Sequence, residues 1–188
     1  MRPCLITALA LAVPLLSSCT GEIMQSHINR VGVPSYFTFA AGPGEMRTVV
    51  LGNPFAVSKE LTGQAVTDAM QGNHAGPRTR FTTMPGPAAR ASHRIVVLFN
   101  PARSFSRYDL CDDPAALRSG PTVGERLVAL VGYCVGDYLF SDAKISIPAV
   151  ATPLDPRFAN MISSAMWELV PSRDPFDMDD DCRVPICQ

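Results

Sequence analysis

The feature that most constrains this chain is the run Ser92-His93-Arg94-Ile95-Val96-Val97-Leu98-Phe99. Five consecutive apolar residues close it, and Asn100-Pro101 stops it. Successive strand side chains point to opposite faces, so a strand apolar at every position needs cover on both sides. The run therefore predicts a central strand in a sheet, not a hairpin lying on solvent.

Other segments supply neighbours for it. Tyr36-Phe37-Thr38-Phe39-Ala40 reads as a β-prone start, followed by a turn at Gly42-Pro43-Gly44. Arg47-Thr48-Val49-Val50-Leu51 reads as a strand closed by Gly52-Asn53-Pro54-Phe55, and Arg80-Phe81-Thr82-Thr83 as a short one. In Arg126 to Val135 the Val and Tyr content, with Gly132 and Gly136, favours strand over helix. Asp142-Ala143-Lys144-Ile145-Ser146-Ile147-Pro148 alternates with period two and is expected to pair antiparallel with it across 136–141.

Two helices are expected. Ser58 is placed to cap the first, Glu60 suits its first turn, Leu61, Ala65, Ala69 and Met70 hold helical spacing, and Gly72-Asn73 ends it. Asp155 and Pro156 open the second, whose stripe is Phe158, Ile162, Ala165, Met166 and Leu169, before Pro171. Trp167 in that helix reads as a core or helix-edge residue. The order β-β-α-β-β-β-β-α predicts an α+β domain over residues 35–171, with two helices packed on one face of a mostly antiparallel sheet.

The first residues describe export. Arg2 precedes the apolar stretch Leu5 to Leu16, too short for a stable span, and Leu16-Ser17-Ser18-Cys19 follows. This quartet resembles a bacterial lipobox, in which two small residues precede the cysteine that takes the lipid. Residues 1–18 are thus expected to be a lipoprotein signal peptide, Cys19 the lipidated (palmitate-bearing) residue, and 19–34 a tether. Thr20, standing where inner-membrane lipoproteins often carry Asp, favours the outer membrane, with the domain facing the periplasm. Each buried acyl CH₂ contributes about 0.8 kcal/mol to such an anchor.

Of the six Cys, Cys4 leaves with the signal and Cys19 carries lipid. Cys111, Cys134, Cys182 and Cys187 remain, and in an oxidising compartment they read as two disulfides. Three connectivities exist; Cys111–Cys134 with Cys182–Cys187 is favoured. The rival, a metal site, lacks any C-x-x-C and any zinc spacing.

The stretches Tyr36 to Phe39, Arg126 to Val135 and Arg157 to Pro171 together resemble short bacterial envelope lipoproteins built around a domain of unknown function. The resemblance spans about residues 36–171. It implies an envelope lipoprotein with an aromatic first strand, an amphipathic helix and a late hairpin leading into a helix. The Trp common in the hairpin strand of such proteins is absent here, and the two expected disulfides depart from their usual form. No catalytic residue carries over.

Catalytic patterns are missing. No G-x-S-x-G, H-E-x-x-H, P-loop or G-x-G-x-x-G occurs. A triad of Ser104, His93 and Asp109 lacks the nucleophile elbow, and His27 and His74 fall in the tether and a loop. The tail Asp177-x-Asp179-x-Asp181 imitates the start of an EF-hand loop, but Cys182 and Gln188 stand where Gly and Glu belong. The formal net charge of −1 argues against nucleic acid. Residues 69–108 contain no acid but carry Arg78, Arg80, Arg90, Arg94, Arg103 and Arg107.

The leading expectation is a non-enzymatic, outer-membrane-anchored interaction or envelope-assembly module with an envelope protein as partner, no cofactor and no metal. The alternative is binding of anionic lipid or glycan through the Arg-rich segment 78–107, with Arg78, Arg80, Arg90 and Arg94 as contacts. A small hydrolase ranks third. Residues 172–188 are expected to form an acidic tail holding the second disulfide.

Overall fold

The computed structural model describes residues 23–102, 105–119 and 125–176. The strands are β1 (Ile23–Ile28), β2 (Glu45–Leu51), β3 (Arg80–Thr82), β4 (His93–Phe99), β5 (Arg126–Val135) and β6 (Tyr138–Pro148). The helices are α1 (Val33–Ala41), α2 (Lys59–Met70), the single turn α3 (Asp109–Asp112) and α4 (Pro156–Leu169). One six-stranded sheet runs in the order β1-β6-β5-β4-β2-β3.

The domain is α+β, but the sheet is mixed. β2 pairs parallel with both β3 and β4, while β4-β5, β5-β6 and β1-β6 are antiparallel. This corrects the expectation of a mostly antiparallel sheet. The expected α2 between β2 and the following strands is itself the reason, because a helical crossover returns the chain in the same direction. Among the described residues α1 and α3 join the two anticipated helices, α2 and α4.

Two local readings are also corrected. Tyr36 to Ala40 is helical, not a strand: Pro34 sits in the first turn of α1, and Val33, Phe37, Ala40 and Ala41 are buried at helical spacing. The tether expected over 19–34 is interrupted by β1, which lies along β6 from Ile23↔Ser146 to Ile28↔Ser141. Residues 23–34 thus belong to the domain, which was expected to begin at residue 35. Backbone pairing to an open strand edge recruits this mixed segment, and Ile28 packs against the large core. Its far end is held by side chains as well, since the Asn29 amide donates to the buried Asp142 carboxylate at 2.8 Å and His27 Nδ1 lies 3.2 Å from it.

β4 is buried on both faces, as the sequence requires. Ile95, Val97 and Phe99 join a large core with Phe37 of α1, Val66 and Met70 of α2, and Phe158, Ile162 and Met166 of α4. Val96 and Leu98 face a second, smaller core with Leu110, Cys111, Leu130, Cys134 and Leu139. The Cys111–Cys134 disulfide joins α3 to β5. At Gly132 any Cβ would collide with the Leu110 and Leu139 side chains, so a glycine lets the cover settle on the sheet.

α4 and α2 begin as their caps dictate. Asp155 Oδ1 accepts from the Arg157 N–H at 2.9 Å, and Ser58 Oγ from the Leu61 N–H at 3.2 Å. The expected α4 stripe is buried, with Met161 added. In α2 the buried face is rotated from the expected one: Val66, Met70 and Thr62 point inward, and Leu61 is 44% exposed. The β5–β6 turn is shorter than expected, Gly136-Asp137 alone, with Gly136 at φ +59°.

The disulfide closes a loop between residues 23 apart, worth about 3 kcal/mol in the chain-entropy account. Urea unfolding of the Cys111→Ser/Cys134→Ser variant should show a stability loss of about that size. An unchanged midpoint would remove the staple from the account of the second core.

Candidate functional site

The helical phase of α1 and the start of β6 bring one set of aromatic residues to the hairpin end of the sheet without burying them. Helix α1 turns Phe37 into the core, which leaves Tyr36 and Phe39, three residues apart, on its outer side. Phe39 is 54% exposed, and Tyr138 at the start of β6 is 59% exposed. Tyr36 packs on Phe140 with ring centroids 4.7 Å apart, which ties the helix to the hairpin.

Two of the three outer rings, those of Tyr138 and Phe39, carry a guanidinium. Arg30 lies over the Tyr138 ring at 4.5 Å, and Arg90 over the Phe39 ring at 3.7 Å. Arg90 Nε also donates to the Phe39 carbonyl at 3.0 Å. Val31 is exposed at the same place. Aromatic and arginine side chains held rigidly at a surface are the residues that dominate binding energy at protein interfaces.

A buried layer supports this surface. His93 Nδ1 lies 2.8 Å from the Tyr133 hydroxyl, and both rings are buried. Phe37 packs edge-on to Tyr133 at 5.7 Å, and Phe39 lies 5.7 Å from His93. Burial first, and then the nearby Arg90 charge, lower the His93 pKa below its ordinary 6.5. Burial likewise pushes the Tyr133 phenol well above its usual range.

The arginines of the 78–107 segment do not converge. Arg80 pairs with Glu45, Arg94 donates to the Cys111 carbonyl, and Arg90 belongs to the aromatic surface. Arg78 lines an open groove of about 540 Å³ with Gln71, His74 and Thr79. Arg107 lies 3.7 Å from Asp142, beside a groove of about 410 Å³ that also holds His27, Phe105 and Lys144. Asp142 is thus already engaged by donors from β1, the segment after it and the cover over the sheet. It acts as a clasp that joins them.

Two members of the Ser104, His93 and Asp109 triad have other partners. His93 is bound to Tyr133, and the Asp109 carboxylate accepts from the Ser106 N–H at 3.1 Å. Ser104, Arg103, Cys19, Cys182, Cys187 and the Asp177–Asp181 acidic run lie outside the described residues. Cys111 and Cys134 are bonded as expected. Among the described residues no group of three or more His, Cys, Asp or Glu gathers to hold a metal, and no helix is long and apolar enough to cross a membrane. Trp167 is half exposed on α4.

Sequence reading named Arg90, Tyr36 and Phe39 without uniting them, and missed Arg30 and Tyr138. The helical phase of Val33, Phe37 and Ala40 was the available signal, because it assigns Tyr36 and Phe39 to the opposite side. No protein-family model, curated protein or solved structure matches the chain.

The lowered His93 pKa sets a pH dependence. The native state binds this proton less tightly than the unfolded chain, so protonation favours unfolding. Stability should fall as pH drops below about 6.5, and His93→Gln should flatten that part of the profile relative to the parent protein. Unchanged curvature in urea titrations from pH 7 to pH 5 would count against a buried neutral His93.

Proposed function

We propose that this chain is a non-enzymatic envelope lipoprotein, anchored at the outer membrane through Cys19 and facing the periplasm, that docks an envelope protein partner. The observation that carries the reading is the exposed aromatic and arginine surface of Arg30, Tyr36, Phe39, Arg90 and Tyr138. Solvent-exposed aromatic clusters on a monomer mark interaction sites. The Cys111–Cys134 bond supports export to an oxidising compartment. The lipobox Leu16-Ser17-Ser18-Cys19 supports the anchor, and the resemblance to short envelope lipoproteins accords with both.

One observation favours the second reading, anionic lipid or glycan bound from the 78–107 segment. Exposed Arg78 borders a groove in which the buried Thr79 hydroxyl finds no partner. This reading keeps Arg78 from the expected set and predicts salt-sensitive retention on phosphatidylglycerol vesicles that Arg78→Ala abolishes.

Two experiments test the leading reading. Cys19→Ser should move the protein from the membrane to the soluble fraction and prevent lipid labelling; unchanged membrane retention would contradict the anchor. Tyr36→Ala with Phe39→Ala should weaken recovery of the partner by at least about tenfold, since interface anchors typically contribute 2 kcal/mol or more. Undiminished recovery, with an unaltered melting curve, would remove this surface from the reading.

A further inference from the structure

The sheet begins almost at the anchor. Only Thr20-Gly21-Glu22 separate Cys19 from Ile23, the first residue of β1. Four backbone steps reach about 14 Å even when fully extended. A sixteen-residue tether would let the domain tumble above the bilayer; this link holds one end of the sheet beside it.

Strand register identifies that end. Ile23 lies opposite Ser146, so the start of β1 sits at the close of β6, and the Ala149 N–H donates to the Glu125 carbonyl at 2.7 Å beside the start of β5. The turn from β6 into α4, residues 149–155, therefore caps the anchored end. It is exposed and weakly polar: Ala149 and Ala151 face solvent, and Leu154 is 76% exposed. Met24 on β1 is exposed close by. Its charges are balanced, with Asp155 paired to Arg157 at 2.7 Å, so this end shows no cation excess that would require anionic lipid.

We propose that this end of the sheet, formed by the start of β1, the close of β6 and the 149–155 turn with Leu154 at its tip, rests against the phospholipid headgroups of the bilayer that holds Cys19. The proposal depends on the lipid-anchor reading. It places the aromatic and arginine surface at the opposite end, since β6 runs roughly 26 Å from Ser146 back to Tyr138. The short link thus presents that surface to the periplasm in a set orientation.

The test uses the mature lipidated full chain in phosphatidylcholine vesicles containing a nitroxide-headgroup lipid. Trp167 is the single Trp and lines a groove with Ser26 and Ile28, well along β1 from its start. In the parent protein its emission should be retained. In Leu154→Trp/Trp167→Phe the new indole should lose most of its emission to the nitroxide. Flotation of the same samples separates the two ideas. Protein that floats but is quenched equally at both positions, or at neither, overturns the orientation and leaves the anchor standing. Protein that fails to float overturns the anchor and the orientation together.

Discussion

Burial of β4 on both faces is the constraint on which the rest of the structure depends. One face of Ile95, Val97 and Phe99 is closed by the long helices α1, α2 and α4 in a single large core. The other face has no long helix available among the described residues. It is closed instead by the chain around α3, carrying Leu110 and Cys111 and bonded to β5 through Cys134. A short segment of this kind buries too little surface to order itself cheaply, and a crosslink lowers the entropy it must give up. Gly132 removes the side chain that would hold it off the sheet.

The clasp at Asp142 extends the same logic to the edge. A carboxylate buried in the sheet needs partners, and it receives them from Asn29, His27 and Arg107. These donors come from the segment around β1 and from the cover. The edge strand and the cover are thereby fixed to the same group on β6. In the proposed lipoprotein this places a rigid strand, rather than a loose leader, next to the membrane anchor.

What was legible in the sequence follows from how local each determinant is. The continuous apolar run of β4, the period-two pattern of β6 and the Asp155-Pro156 start of α4 are local signals, and each matches the structure. Cysteine counting left three connectivities, and the favoured one contains the Cys111–Cys134 bond that the structure shows. The identity of α1 was less so, because Tyr36 to Phe39 has strand-like composition while Pro34 and the burial phase impose a helix. β1 was not readable, since register with a distant strand leaves little trace in a hexapeptide of mixed character, whereas the helix expected after β2 already implied the parallel pairing that the mostly antiparallel expectation left out. Arg30 follows β1, and Tyr138 opens β6 ahead of the expected start at Asp142, which is why neither was anticipated.

In the proposed function the hairpin end of the sheet is the face presented to a partner. The most direct measurement is photo-crosslinking in intact cells, with a photoreactive residue placed singly at Phe39, at Tyr138, or at Met84, which is 84% exposed away from this surface. One discrete protein adduct, shared by positions 39 and 138 and absent at 84, is expected. Adducts of the same pattern at all three positions, or none at 39 and 138, would contradict it.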